Sequence, residues 1–281
     1  MENSDRLCSC VILNYNDFEN VLKLVEKIKK YKDLDYIVIV DNKSKDDSFI
    51  NLKKLSSQNV YVIQTEKNLG YGAGNNFGIR FSKKILKCDL VLIANPDVCF
   101  SNELVQGLKK NMTKTVGISS AKQLDRHGNE IKDVAWRLPN WLEYVFSGTR
   151  IIGRIINLNY NEKELRKTSE MFVDCVPGAL LMIDAEKFLQ VGGYDEEMFL
   201  YCEETTIGFK MKQAGYKTIL NLHYTYIHKR SESIGKSIRS KRRQMEWLYN
   251  SKIIFIKKYL KKNLFFLWFS EIFFKHLLSK Y

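Results

Sequence analysis

Four acidic residues, Glu196, Glu197, Glu203 and Glu204, bracket the run Met198-Phe199-Leu200-Tyr201. A carboxylate set among apolar groups loses hydration, and its pKa rises toward the range useful for general acid or base work. Acidic residues at a helix start also complement the helix dipole, and that plainer reading stands beside the chemical one. A further carboxylate, Asp97, closes the tripeptide Asn95-Pro96-Asp97 directly after the apolar run Leu90–Ala94. Hard divalent cations bind one or two carboxylates together with phosphate oxygens, so Asp97 is a candidate ligand for Mg²⁺ or Mn²⁺ held against a diphosphate. By itself the tripeptide is also ordinary turn chemistry.

The segment Lys67–Ile79 reads KNLGYGAGNNFGI and places Gly70, Gly72, Gly74 and Gly78 at the opening of a helix. Unsatisfied backbone N–H groups at such an opening attract anions. A dinucleotide fingerprint would lie at the first strand-to-helix turn, which here is Asn14-Tyr15-Asn16-Asp17, and the lysine and Ser/Thr of a P-loop are missing. A contact to a nucleoside diphosphate is the reading that remains. His223 and His228 follow the apolar run Thr218–Leu222. Lone histidines are mostly structural, but Lys229, Arg230, Ser231 and Ser233 give His228 a phosphate-binding context.

These residues need a scaffold, and the first two hundred positions supply one. The apolar runs Cys8–Leu13, Tyr36–Val40, Val60–Gln64 and Leu90–Ala94 predict buried strands. Helical spacing follows each of them, over Val21–Ile28, Asp47–Leu55, Asn75–Leu86 and Glu103–Asn111. Such alternation implies βαβ units and a mostly parallel sheet flanked by helices, with ligands beyond the carboxyl ends of the strands. Asn14-Tyr15-Asn16, Asp41-Asn42 and Asn95-Pro96-Asp97 all fall at such ends. Each alone is turn chemistry; three on one edge favour a site. Beyond an aperiodic segment, Trp136–Glu170, Asp174–Ile183 predicts a further strand and Leu200–Gly215 a helix closed by Gly215.

With 281 residues and no Pro- or Gly-rich linker, the chain predicts one principal domain with a C-terminal appendix. The six cysteines form no CxxC pair and several sit in apolar runs, which favours buried thiols over disulfides or zinc. Residues 1–6 lack a basic segment followed by an apolar core, so a cytoplasmic location is the expectation. The net charge of +13 is uneven: from Lys229 onward there are 14 Lys/Arg against 3 Glu, which leaves +2 for everything before. A basic end on a neutral body points to a polyanionic surface. In the tail, apolar and aromatic runs such as Leu264–Phe269 alternate with lysines, and no run approaches the ~20 apolar residues of a bilayer span. Lys and Arg beside an apolar face, Arg239 and Lys241 among them, predict a helix lying on an anionic membrane surface. Packing on the catalytic body or a homodimer contact is the alternative.

Taken in order, VILNYND, IVIVDNKSKDDS, NLGYGAGNNFGI, LIANPDV, VPGALLMI, GGYDEEMFLYCEE, KQAGY and IHKRSES resemble the inverting glycosyltransferases of family 2, especially their rhamnosyltransferase-like branch. The resemblance covers residues 8 to about 235. It implies a GT-A fold over 1–235; within it the aperiodic segment 136–170 reads as a lid-like, acceptor-side insertion or a poorly ordered loop, and 236–281 follows as a helical tail. It also implies a UDP- or dTDP-sugar donor, a glycan or lipid-linked acceptor at the cytoplasmic face of the plasma membrane, and a divalent metal. By position, Asp41 would bind the nucleotide base and Tyr15 would line its pocket, while Asn68, Gly70 and Asn75 would lie along the donor. Asp97 takes the last position of the metal-binding Asp-x-Asp element, His228 lies near metal and diphosphate, and Glu204 takes the place of the catalytic base. Asn95 and Glu204 stand where relatives often have Asp, and Thr206 and Lys210 replace an Asp and an Arg. Three other readings stay open: a nucleotidyltransferase, an inactive relative that scaffolds a membrane complex, and a nucleic-acid-binding protein. The last is disfavoured because the positive surplus sits in the tail and not beside the strand ends.

Overall fold

The structure is a computed structural model and describes residues 6–131, 133–147, 149, 155–165, 168–229 and 240–281. Its first half is built from β1 (Cys8–Asn14), β2 (Tyr36–Asp41), β3 (Val60–Gln64) and β4 (Leu90–Ala94), which lie parallel in the order β3-β2-β1-β4. Continuous Val/Ile/Leu runs suit this arrangement, because helices cover both faces of such strands. The register places Asn14 beside Asp41 and Asp41 beside Gln64, so the polar ends of three strands share one edge. On one face α1 (Phe18–Ile28) buries Val21, Leu24, Val25 and Ile28 at the expected helical spacing, and α2 (Ser48–Lys53) follows β2.

The helix after β3 begins earlier than its pattern predicts. It is α3 (Gly70–Lys84), and Gly70, Gly72 and Gly74 lie inside it rather than ahead of it. Packing explains this. A Cβ on Gly74 would stand 2.5 Å from Leu13 Cδ1, and one on Gly78 would stand 2.6 Å from Val11 Cγ1. Glycines one turn apart therefore let α3 lie close on β1, which outweighs their weak helix propensity.

The second half of the sheet is mixed. β8 (Leu180–Asp184) runs antiparallel between β4 and β6 (Val116–Leu124), and β9 (Lys217–His228) lies parallel to β6. The short β5 (Val98–Cys99) and β7 (Glu170–Val173) pair antiparallel with β9. The strand expected over Asp174–Ile183 starts only at Leu180, since Pro177 offers no backbone donor and Gly178 follows it. Between these strands lie α4 (Asn102–Asn111), capped by the Ser101 hydroxyl, and α7 (Ala185–Gln190), capped by the Asp184 carboxylate. The helix expected from Leu200 is α8 (Glu203–Gln213), delayed by left-handed backbone at Tyr201 (φ 72°) and Cys202 (φ 70°).

A third core joins the aperiodic segment to the tail. α5 (Trp141–Phe146), opened by a capping box between Asn140 and Glu143, is followed by the single turn α6 (Glu162–Leu165). The tail forms α9 (Lys241–Lys258) and α10 (Leu264–Leu278). Tyr144, Val145, Met198, Tyr249, Phe255, Ile256 and Phe274 are buried together here. Trp141 meets Phe266 edge-on at 4.5 Å between centroids and donates its indole N–H to Ser270 Oγ at 3.0 Å. One side of the tail is thus packed on the body. Among the described residues no helix is long and apolar enough to cross a membrane. Arg230, Ser231, Ser233 and Arg239 lie outside the described residues.

Candidate active site

Asp41 is fully buried at the end of β2, and donors converge on it. Its Oδ1 accepts from Asn14 Nδ2 at 2.8 Å and from Ser44 Oγ at 2.5 Å. Its Oδ2 accepts from the Ser44 backbone N–H at 3.1 Å and from Gln64 Nε2 at 2.8 Å. Partly exposed Tyr15 follows Asn14 directly on the same edge. The loops after β1 and β2 are tied together, because Ser44 Oγ also accepts the Asn16 N–H at 2.9 Å. The next link is Asn42, which the sequence places with Asp41 at a strand end. Its amide donates to Asn68 Oδ1 and to the Gly70 carbonyl, both at 3.0 Å, while its Oδ1 accepts the Leu69 N–H at 3.1 Å. Ser44 and Gln64 are residues to which motif reading gave no role, although Ser44 stands in the same polar stretch as Asp41 and Asn42.

Asn75 lies one turn inside α3, 1% exposed, and its amide donates back to the Tyr71 carbonyl at 3.0 Å. At the head of that helix Gly70 has a φ of +84°, and a Cβ there would fall 2.1 Å from the Phe199 carbonyl oxygen. The Tyr71 N–H donates to that same oxygen at 3.0 Å. The glycine segment is therefore clamped to the acidic stretch that leads into α8.

The other side of the edge is built by β5. Because Val98 pairs with His228, the end of β9 returns to the Asn95-Pro96-Asp97 turn, and His228 Nε2 stands 3.3 Å from Asp97 Oδ1. Both are largely enclosed. They form a mixed oxygen and nitrogen donor set. Among the described residues no group of three or more His, Cys, Asp and Glu gathers elsewhere or here. A hard cation such as Mg²⁺ needs few protein ligands when phosphate oxygens and water complete its shell, so this pair fits one.

Glu204 opens α8, keeps some exposure, and accepts the Gly178 backbone N–H on Oε1 at 3.2 Å. Tyr71 donates its hydroxyl to the Gly178 carbonyl at 2.8 Å, and the neighbouring Ala179 carbonyl accepts the Asn95 N–H at 2.8 Å. Residues 178–179 thus run as a strap between Glu204 and the Asp97 turn. Glu203, 3% exposed, has no partner for Oε1 among the described residues. Burial pushes its carboxyl well above the ordinary range, and the adjacent Glu204 charge adds to this. Burial raises Glu204 as well, against backbone N–H groups, including that of Gly178, that favour its charged form. Both carboxyls are thus raised, Glu203 the further because it lacks the Gly178 N–H that favours the charged form of Glu204. Thr206 and Lys210 are engaged inside the fold, with Met198 Sδ at 3.4 Å and the Gly193 carbonyl at 2.7 Å respectively.

Known proteins share this architecture. Over 207 residues the chain is 28% identical to the low-salt glycan biosynthesis hexosyltransferase Agl10 of Haloferax volcanii, covering 73% of this chain and 61% of that protein. It is 25% identical over 191 residues to an N-acetylglucosaminyl-diphospho-decaprenol L-rhamnosyltransferase of Mycobacterium tuberculosis, covering 63% and 61%. The chain thus spans about three fifths of the length of these two relatives. Among solved structures, the mannosyltransferase PcManGT from Pyrobaculum calidifontis, in complex with GDP-Man and Mn²⁺, matches with a TM-score of 0.62 at 14% identity. That match covers 92% of this chain and 65% of the other, and it shows the GT-A fold. Residues 9–185 match the model of glycosyl transferase family 2. This stretch is more than half of the chain and holds both the Asp41 and the Asp97 ends of the site, and on that ground the chain belongs to glycosyl transferase family 2.

Proposed function

We propose that this protein is an inverting glycosyltransferase, which moves a hexose such as rhamnose from a nucleoside-diphosphate donor to a glycan or lipid-linked acceptor in cell-surface polysaccharide synthesis. The observation that carries the reading is the strap at residues 178–179, where the Gly178 N–H donates to Glu204 and the Ala179 carbonyl accepts from Asn95, two residues before Asp97. In this reading Glu204 at one end of the strap is the base and Asp97, beyond Asn95 at the other, is the carboxylate on the diphosphate side. Glu204 takes the proton of the acceptor hydroxyl as that oxygen attacks the anomeric carbon. The diphosphate leaves on the Asp97 side, so attack and departure lie on opposite faces and the configuration inverts. Asp97 and His228 would hold Mg²⁺ or Mn²⁺, which supplies charge neutralisation for the leaving diphosphate.

Asp41 and Tyr15 receive the base of a UDP- or dTDP-sugar, and Asn68, Gly70 and Asn75 lie along its sugar and diphosphate. Residues 1–235 act as the catalytic body and 136–170 as its acceptor side. The tail 236–281 holds the protein peripherally at an anionic membrane surface, at the cytoplasmic face where lipid-linked acceptors meet nucleotide sugars. Homodimer contact is the lesser reading for the tail, and nucleic acid is not a partner in this scheme. The N-acetylglucosaminyl-diphospho-decaprenol named for the Mycobacterium relative supports the lipid-linked class.

The test is a panel of UDP- and dTDP-sugars, read by release of the nucleoside diphosphate with Mg²⁺, with Mn²⁺ and with chelator. Release should require metal and should vanish in Asp97→Ala, since the Asn95-Pro96-Asp97 turn holds no second carboxylate. Metal-dependent release at the wild-type rate by Asp97→Ala removes Asp97 from the site. A folded protein that binds none of the nucleotides fits the inactive-scaffold reading instead.

A further inference from the structure

The outer face of α10 carries a patch that the packing of the tail leaves open. Leu264, Phe265, Trp268 and Ile272 are 83, 63, 59 and 48% exposed. Their spacing of one, four and eight residues gathers them on one arc of the helix. The opposite arc is occupied, with Ser270 and Phe274 buried against α5 and α9. The stripe is therefore not core left out by mistake, because the same helix already has a core side. Clustered large apolar side chains on a surface mark a contact with something else.

Charge decides what that something is. Lys261 stands just before the helix, Lys275 near its end and Lys280 beyond it, and all three are exposed. Residues 240–281 carry 10 Lys/Arg against 2 Glu. A second copy of the chain would bring this patch, with Lys261, Lys275 and Lys280 against the single acid Glu271, onto a surface of the same net charge, which opposes the contact. An anionic lipid surface accepts both parts: the aromatic stripe enters the headgroup boundary and the lysines meet the lipid phosphates.

We infer that α10 is a lipid-docking helix, lying flat on an anionic bilayer with Leu264, Phe265, Trp268 and Ile272 immersed. This deepens the peripheral-membrane part of the proposed function by naming the surface, and it does not depend on catalysis. Through Trp141, α5 of the acceptor-side segment is held on the opposite arc of the docked helix, one helix layer from the lipid.

The experiment uses the full chain with vesicles of phosphatidylcholine alone or mixed equally with phosphatidylglycerol, read by co-sedimentation at low and high salt. Wild-type protein should bind the mixed vesicles, bind less as salt rises, and leave the neutral vesicles in solution. The double variant Phe265→Ser, Trp268→Ser changes only exposed side chains and should lose about tenfold or more in partition, as expected from two large apolar groups left in water. The triple variant Lys261→Glu, Lys275→Glu, Lys280→Glu should lose the preference for phosphatidylglycerol. The proposal is overturned if the double variant binds vesicles like wild type. It is equally overturned if wild type ignores vesicles and sediments as a dimer that the double variant dissolves. A thermal shift with UDP or dTDP, measured on the same samples, separates the two readings. Vesicle binding without nucleotide binding supports the lipid surface and counts against the catalytic assignment alone.

Discussion

The backbone N–H of Gly178 points at Glu204 Oε1 from 3.2 Å, although 26 residues of chain separate them. A Cβ on Gly178 would stand 2.9 Å from that oxygen, so the approach depends on glycine. The contact favours the charged carboxylate in a place where burial opposes it. It also fixes which of two adjacent glutamates faces residues 178–179, the one we propose as the base.

Glu204→Gln should therefore lower turnover by about 10²–10⁴-fold, the usual worth of a general base, while nucleotide affinity holds. Release of nucleoside diphosphate under saturating donor measures the first, and a thermal shift with UDP or dTDP the second. If Glu203→Gln proves the crippled variant, the two residues exchange roles.

The buried neighbour makes a separate prediction about stability. Glu203 has its carboxyl pushed well above the ordinary value by burial. A group whose folded pKa is raised contributes stability that is complete below the unfolded pKa and is lost as pH rises through the folded one. Wild-type protein should thus lose melting temperature as pH climbs from the ordinary glutamate range, and Glu203→Gln should lose less. The two melting curves should converge in acid and separate toward neutral and alkaline pH. Parallel curves would show that Glu203 is not held protonated.

Much of this was legible in the sequence, and the failures share a cause. The parallel strands were readable because burial on both faces leaves an unbroken apolar run, as in Leu90–Ala94. The start of α3 was not, because Gly70, Gly72 and Gly74 read as loop until the closeness of Leu13 to Gly74 is known. Asp97 and His228 could each be nominated, but only the pairing of Val98 with His228 brings them within 3.3 Å. Asn42 has no signature of its own; its importance lies in joining two loops. The tail reads as amphipathic, yet periodicity alone does not tell its packed arc from its open one.

Asp41→Asn tests the base pocket. The substitution keeps the shape but replaces an acceptor oxygen with an amide donor, among donors from Asn14, Ser44 and Gln64. A buried donor left without an acceptor costs about 1–3 kcal/mol, so the variant should melt lower and bind UDP or dTDP at least about tenfold more weakly. Nucleotide titration checks the affinity. A variant that melts lower but binds both nucleotides like wild type assigns Asp41 to loop structure alone.

The tail should matter to the chemistry as well as to docking, because α9 holds the segment that leads into Glu204. Trp247 packs on Phe199 at 4.6 Å between centroids, and Ser251 Oγ donates to the Leu200 carbonyl at 2.9 Å. Directly after these contacts, Tyr201 and Cys202 adopt left-handed backbone, a conformation that costs roughly 1 kcal/mol or more for a non-glycine residue and persists only when its surroundings enforce it. Releasing the grip should let these residues relax and carry Glu204 off the Gly178 N–H. Trp247→Ala with Ser251→Ala is thus expected to reduce kcat by about tenfold or more, since small displacements of positioned groups are costly. The donor KM should rise as well, because the Phe199 carbonyl that accepts the Tyr71 N–H also holds Gly70, which we place along the donor, whereas Asp41 and Asp97 are not touched by these contacts. Trp247→Phe should restore most of kcat by refilling the contact with Phe199. A purely structural role would instead lower the melting temperature and leave kcat per folded molecule unchanged, and that result would separate the tail from catalysis.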